Sequence, residues 1–349
     1  MHTVQYQLPN FDLLLDRQSR PNYKVNPHEP QLAREFIAFL DKLQNIISPF
    51  QRREIEGAQL PLCAAAYAID ADLQQLRVYL DYFVLLLLIE VMSDASNAQA
   101  GMFDLKFMVD LLNACAEGQP FDASERKDPL VELTASVVDM SNPDLRANVF
   151  RLFHPSIDVM QSKALFRICK QQRKKIMIVR IQPRSLWIHT SPIDATWMSQ
   201  ISLSQEILQT PAFKGLLEST IDLIALSNDL ISYKKEKAQG EDKHNLVSVA
   251  MADPTVPVEP GDIQAALNFA GSKVSEAYSR FQSCKLDALA RVAPDDVETR
   301  SEILRYVRVL LETIDGNIVW QIDPRTVRYH LFETPEERSS WLVSICVED

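Results

Sequence analysis

Glycine is scarce. The chain has 8 in 349 residues, where an average composition of ~7% would give about 24. Few glycines leave few places for left-handed backbone, so tight hairpins and phosphate-cradling loops are disfavoured. Neither a Walker A loop nor a Rossmann glycine fingerprint occurs. Positive charge is also short: Lys+Arg number 36 against 47 Asp+Glu, a formal net charge of −11. That balance argues against a dedicated nucleic-acid binder, which needs a dominant basic face. The 5 cysteines, at 63, 115, 169, 284 and 346, are scattered and form no CxxC. Neither a disulfide framework nor a structural zinc site is expected, and a reducing compartment fits. The N-terminal stretch Met1–Arg20 lacks the basic and apolar regions of a signal peptide. The longest apolar run, Tyr82 to Ile89, is closed by Asp81 and Glu90, far short of the ~18–20 residues of a membrane span. These absences lead to an expectation of a cytoplasmic chain with no membrane span and no nucleic-acid partner.

What is present is helical patterning. Asn26-Pro27 precedes apolar residues at spacings of three and four, through Leu32, Phe36, Ile37 and Leu40. Pro61 opens a run from Leu62 to Tyr67. From about Asp72 to Asp94 the chain is apolar on nearly every side, as in a helix buried in a large core. Further helices are expected at Asp104–Ala116, Asp128–Met140, Asp144–Phe153, Ser156–Lys170, Ala212–Glu236, Ile263–Leu286 and about Pro294–Trp320, several of them introduced by proline. No repeat or polar linker interrupts the series. The simplest account is one all-α domain spanning 1–349, an α-helical bundle. One segment is discordant. Lys163 to Arg184 carries eight basic residues and no acid, and its Ile176-Met-Ile-Val-Arg-Ile stretch is β-branched.

Two clusters carry chemistry. In Asn228-Asp229-Leu-Ile-Ser232-Tyr233-Lys234-Lys235-Glu236, a helix brings Asn228, Ser232 and Glu236 onto one ridge at i, i+4 and i+8. An amide oxygen, a hydroxyl and a carboxylate are hard oxygen ligands of the kind Mg²⁺ takes alongside water and phosphate. Lys235 adds a point charge suited to phosphate. A solvated helix end before Gly240 is an equal reading of this spacing. In the second cluster, Glu90 and Asp94 share a face at i, i+4, and that face continues back through the apolar Leu86 and Phe83. Acids at the mouth of an apolar helix suit a metal–diphosphate site above a greasy pocket, although such acids also arise wherever a helix leaves a core.

Together these segments resemble the class I terpene synthases, in particular the fungal sesquiterpene synthases. Asn228 to Glu236 fits the family's N-D-x-x-S-x-x-x-E pattern, the NSE motif, including the Lys before the Glu. His244-Asn245 follows it as in many members. Glu90 and Asp94 occupy the acidic motif, with Glu90 where the family usually has Asp. Gly316-Asn317, Trp320 and Arg328-Tyr329 resemble the C-terminal region in which the family sets an Arg-Tyr pair on the diphosphate. Arg325 is an alternative to Arg328. The family's upstream Arg-x-x-Thr-Gly context is missing, and Arg180 and Arg184 lie at about the right separation to replace its arginine.

The resemblance implies Mg²⁺, commonly three ions, bound by Glu90, Asp94, Asn228, Ser232 and Glu236. It implies a prenyl diphosphate substrate, farnesyl diphosphate first, and cyclisation of the carbocation to a sesquiterpene. Phe83, Leu86, Tyr67 and Trp320 are candidate walls of the cavity, since aromatic faces stabilise cations. The protein would act as a monomer or homodimer. Geranyl or geranylgeranyl diphosphate as substrate, or a catalytically dead scaffold of the same fold, are the alternatives.

Overall fold

The computed structural model describes residues 2–17, 24–42, 44, 47–77, 79–80, 83–84, 87, 201, 203–240, 242–327 and 329–347. The helices expected between residues 104 and 170 lie outside this set. The chain divides into two units, residues 26–194 and residues 1–25 with 195–349.

Within the first unit, α2 (Glu29–Lys42), α3 (Pro49–Gly57) and α4 (Leu60–Tyr67) follow proline-marked starts. Ser48 and Gln51 close a reciprocal capping box on α3. Every residue of α4 is buried, which explains its uniformly apolar composition. Asn26 knits the start of α2 to the end of α4. Its amide donates to the carbonyls of Ala68 (2.9 Å), Ile69 (3.0 Å) and Ala71 (2.8 Å). The following helix begins at residue 73, where Asp72 and Gln75 cap each other. Arg77 Nη1 reaches Glu35 Oε2 at 2.6 Å, and Gln31 and Arg77 together hold the Glu35 carboxyl below its ordinary range.

The second unit is built on three long helices: α6 (Pro211–Gln239), α8 (Ile263–Ala290) and α9 (Val297–Ile322). Both α8 and α9 pack on α6. Shorter helices are α1 (Phe11–Leu14), α5 (Gln205–Leu208), α7 (Leu246–Ala252) and α10 (Pro335–Ser340). The three long helices match the expected apolar periodicity. Their ends follow local signals: Pro211 in the first turn of α6, Gly240 at its close with φ 70°, and aspartate caps at Asp262 and Asp296.

A two-stranded antiparallel sheet was not anticipated. Strand β1 (His2–Gln7) pairs with β2 (Leu342–Val347), with His2 opposite Val347 and Gln7 opposite Leu342. Val343 and Ile345 are buried, so one face of β2 has a core to cover. Gln264 on α8 ends the ladder, accepting from the Gln7 N–H and donating to the Gln7 carbonyl, both at 2.9 Å. Phe11 and Phe332 meet the buried Trp341 edge-on. At Gly271 a β-carbon would lie 2.6 Å from Pro9 Cγ, so the segment after β1 crosses α8 where only glycine fits. The fold is all-α, and the strand pair ties residues 2–7 to residues 342–347.

Candidate functional site: a three-oxygen ridge on α6

α6 runs unbroken through residues 228–236 and ends one turn later at Gly240, whose N–H bonds the carbonyls of Glu236 and Lys237. Asn228, Ser232 and Glu236 therefore share one helical ridge. Ser232 is buried, whereas Asn228 and Glu236 are half-buried. Ser232 Oγ donates to Glu236 Oε1 at 2.7 Å. The other carboxylate oxygen, Oε2, accepts from Asn245 Nδ2 at 3.2 Å. The Glu236 carboxylate is thus held from both sides. Ser232 spends its proton on Glu236 and keeps its lone pairs, which suits an oxygen donor to a cation.

The Asp of the Asn-Asp pair has a different task. Asp229 is 6% exposed, and its Oδ2 accepts the Leu246 N–H at 2.9 Å. Its own carbonyl accepts from Asn245 Nδ2 at 2.7 Å. Asn245 Oδ1 in turn caps α7 through the Val247 N–H at 3.0 Å. This bracing was not read from the sequence. The available signal was an Asn immediately before an apolar helical run.

Behind the ridge, α6 and α9 are joined by buried polar contacts. Asn317 Nδ2 donates to Ser227 Oγ (3.4 Å), and Gln321 Nε2 to Asn317 Oδ1 (3.1 Å). Asn317 thus sets the register of α9 one residue from Asn228. Burial pushes the Tyr233 phenol, on the same helix, up to about 12. It therefore carries no charge at neutral pH.

The remaining predicted site residues divide by place. Lys235 is half-buried on α6. Its neighbour Lys234 reaches Glu333 Oε1 at 2.9 Å, which fastens α6 to the segment after Tyr329. Tyr329 is buried and meets the Trp320 ring edge-on, with centroids 5.7 Å apart. His330, next in the chain, has φ 44° and turns the backbone sharply. Arg325 pairs with Asp323 at 3.0 Å; burial raises the Asp323 carboxyl, but Arg325 outweighs it and holds the group below its ordinary range. In the first unit, Tyr67 and Phe83 meet at 5.4 Å, and Tyr79 completes the cluster at 4.6 Å from Phe83. Tyr79, four residues before Phe83, was not singled out from the sequence. Glu90, Asp94, Leu86, Arg180, Arg184 and Arg328 lie outside the described residues.

The donor set fits a hard divalent cation: three oxygen ligands on one ridge, with the carboxylate pre-oriented. Residues 81–280 match the family described as terpene synthase family 2, C-terminal metal binding. The chain belongs to this terpene synthase family. Sesquiterpene synthase Agr1 of Cyclocybe aegerita is 24% identical, over 91% of this chain and 88% of its own length. Sesquiterpene synthase 3 of Postia placenta is 32% identical over 42% of this chain and 36% of its own. Among solved structures, 2-methylisoborneol synthase from Streptomyces coelicolor A3(2), in complex with Mg²⁺ and 2-fluoroneryl diphosphate, aligns over 90% of this chain and 97% of its own. Its TM-score is 0.68 at 15% identity, a likeness of fold. The all-α architecture of this terpene synthase is therefore the class I terpenoid fold, and family membership implies a lyase acting on prenyl diphosphates. Among the described residues, no helix is long and apolar enough to cross a membrane.

Proposed function

We propose that this terpene synthase is a Mg²⁺-dependent sesquiterpene synthase that ionises farnesyl diphosphate, rearranges the carbocation and releases diphosphate. The carrying observation is the Asn228–Ser232–Glu236 ridge, with its carboxylate held at both oxygens. Bound there, divalent cations would neutralise a poor leaving group without moving a proton. Glu90 and Asp94 are proposed as further ligands, with three ions in all. Lys235, Arg328 and Tyr329, with Arg180 and Arg184, are proposed to hold the diphosphate. Tyr67, Phe83, Leu86 and Trp320 would keep the cation dry and offer it aromatic faces. The names of the relatives from Cyclocybe aegerita and Postia placenta support the fifteen-carbon substrate. A cytoplasmic monomer or homodimer completes the reading.

The test is direct. Purified protein with Mg²⁺ is given geranyl, farnesyl and geranylgeranyl diphosphate separately, and volatile products and released diphosphate are measured. A sesquiterpene from farnesyl diphosphate, abolished by a chelator, is expected. Release of diphosphate from none of the three would refute the proposal.

Glu90 offers a second check. Its carboxylate stands one methylene farther from the backbone than an aspartate's, and Mg²⁺ is strict about geometry. Glu90→Asp is expected to retain or raise turnover, and Glu90→Gln to lower it. Equal turnover in all three would remove Glu90 from the ligand set.

A further inference from the structure

We infer that Asn245 is a positioning residue for the metal site: its side-chain amide fixes the Glu236 carboxylate in the orientation that receives the cation. This rests on the reading of the α6 ridge as a metal site. Asn245 is 0% exposed, and every polar group of its side chain is engaged. Oδ1 caps α7 through the Val247 N–H at 3.0 Å. The two amide protons serve the Asp229 carbonyl at 2.7 Å and Glu236 Oε2 at 3.2 Å. The amide plane is therefore set by two backbone groups, one on α6 and one on α7, before Glu236 is considered. The donor offered to Glu236 is as rigid as the helix junction itself.

Asp229 doubles the junction by accepting the Leu246 N–H at 2.9 Å, so the turn between α6 and α7 is pinned at two points. Ser232 alone could not fix the carboxylate, because a single contact to Oε1 leaves rotation about that contact open. The contact to Oε2 removes this freedom. Lone pairs on both oxygens remain for a metal. Partners of this kind change metal affinity by roughly 10–100-fold when removed.

The test compares Asn245→Ser with Glu236→Ala and the double variant. Serine keeps an oxygen for the Val247 N–H, since it caps helices well, but it is too short to reach Glu236. Asn245→Asp is the second variant: it keeps the cap and places an acceptor where the donor was. The readouts are Mn²⁺ affinity in the presence of inorganic diphosphate, from the spin-resonance signal of free Mn²⁺, and the metal-free thermal midpoint. Asn245→Ser is expected to weaken Mn²⁺ binding about 10–100-fold, and Asn245→Asp at least as much. Neither change should weaken binding further in the Glu236→Ala background. Unchanged Mn²⁺ affinity in both Asn245 variants, with binding lost in Glu236→Ala, would overturn the positioning role and leave the metal site standing. A lowered thermal midpoint with unchanged affinity would likewise reduce Asn245 to a helix cap. Wild-type affinity in Glu236→Ala would instead remove the ridge as a metal site, and this inference with it.

Discussion

Glu236→Ala is expected to lower product formation about 1,000-fold while the helical circular-dichroism signal stays at its wild-type level. The magnitude follows from the metal's part in charge neutralisation, worth several kcal/mol. About 4 kcal/mol corresponds to three decades of rate. The fold should survive because of what the carboxylate touches. Losing Glu236 removes one contact from Ser232 and one from Asn245, but Asn245 keeps the Asp229 carbonyl and the Val247 N–H. Two half-buried hydrogen bonds contribute about 1 kcal/mol each, small beside the catalytic loss. Asn228→Ala should behave the same way with less structural consequence, since its side chain makes no hydrogen bond among the described residues. Turnover within tenfold of wild type in both variants, measured as diphosphate release, would place the metal elsewhere.

The largest effect on stability is expected from Arg17→Ala. Arg17 lies just after α1 and reaches Asp315, midway along α9, with Nε at 3.1 Å from Oδ1. The Asp315 side chain is 9% exposed and that of Arg17 14%, so neither charge has much water to fall back on. Removing Arg17 takes a close counter-charge from a buried carboxylate, and breaking such a pair costs about 3–5 kcal/mol. The Arg17 contact to Asp12, at 2.8 Å, adds little, since Asp12 is 41% exposed and an open pair contributes ~0–1 kcal/mol. For a chain of this size, the thermal midpoint should fall on the order of 10 °C. Combining Arg17→Ala with Asp315→Asn should restore a good part of the loss by removing the buried charge that Arg17 had balanced. A fall of no more than about 2 °C in Arg17→Ala would mean the pair behaves as a surface contact.

What could be read in advance was what the chain encodes locally. Pro211 and Gly240 bracket α6, and the i, i+4, i+8 spacing alone placed Asn228, Ser232 and Glu236 on one ridge. Helices α8 and α9 were legible from apolar periodicity over more than twenty residues each. The supports of the site were not legible, because they join residues that no local pattern relates. Asn245 reaches Glu236 across a turn, Asn317 reaches Ser227 from another helix, and Arg17 meets Asp315 from the opposite end of the chain. The strand pair was missed for the same reason. Six residues at each end carry weak alternation, and only their pairing makes them strands. Asp229 shows the limit within the motif: adjacent to a candidate ligand and equally acidic, it is committed to the Leu246 N–H. Only the turn that follows α6 reveals this.

Asn228, Ser232 and Glu236 are proposed to hold a divalent cation together. A crystal of the protein grown with Mn²⁺ and inorganic diphosphate, measured at the manganese absorption edge, tests it most directly. An anomalous peak is expected with oxygen atoms of all three side chains about 2.0–2.2 Å away, close to the distances Mg²⁺ takes. Ordered manganese found only elsewhere, with the Glu236 carboxylate still bonded to Ser232 and Asn245 and touching no metal, would contradict it.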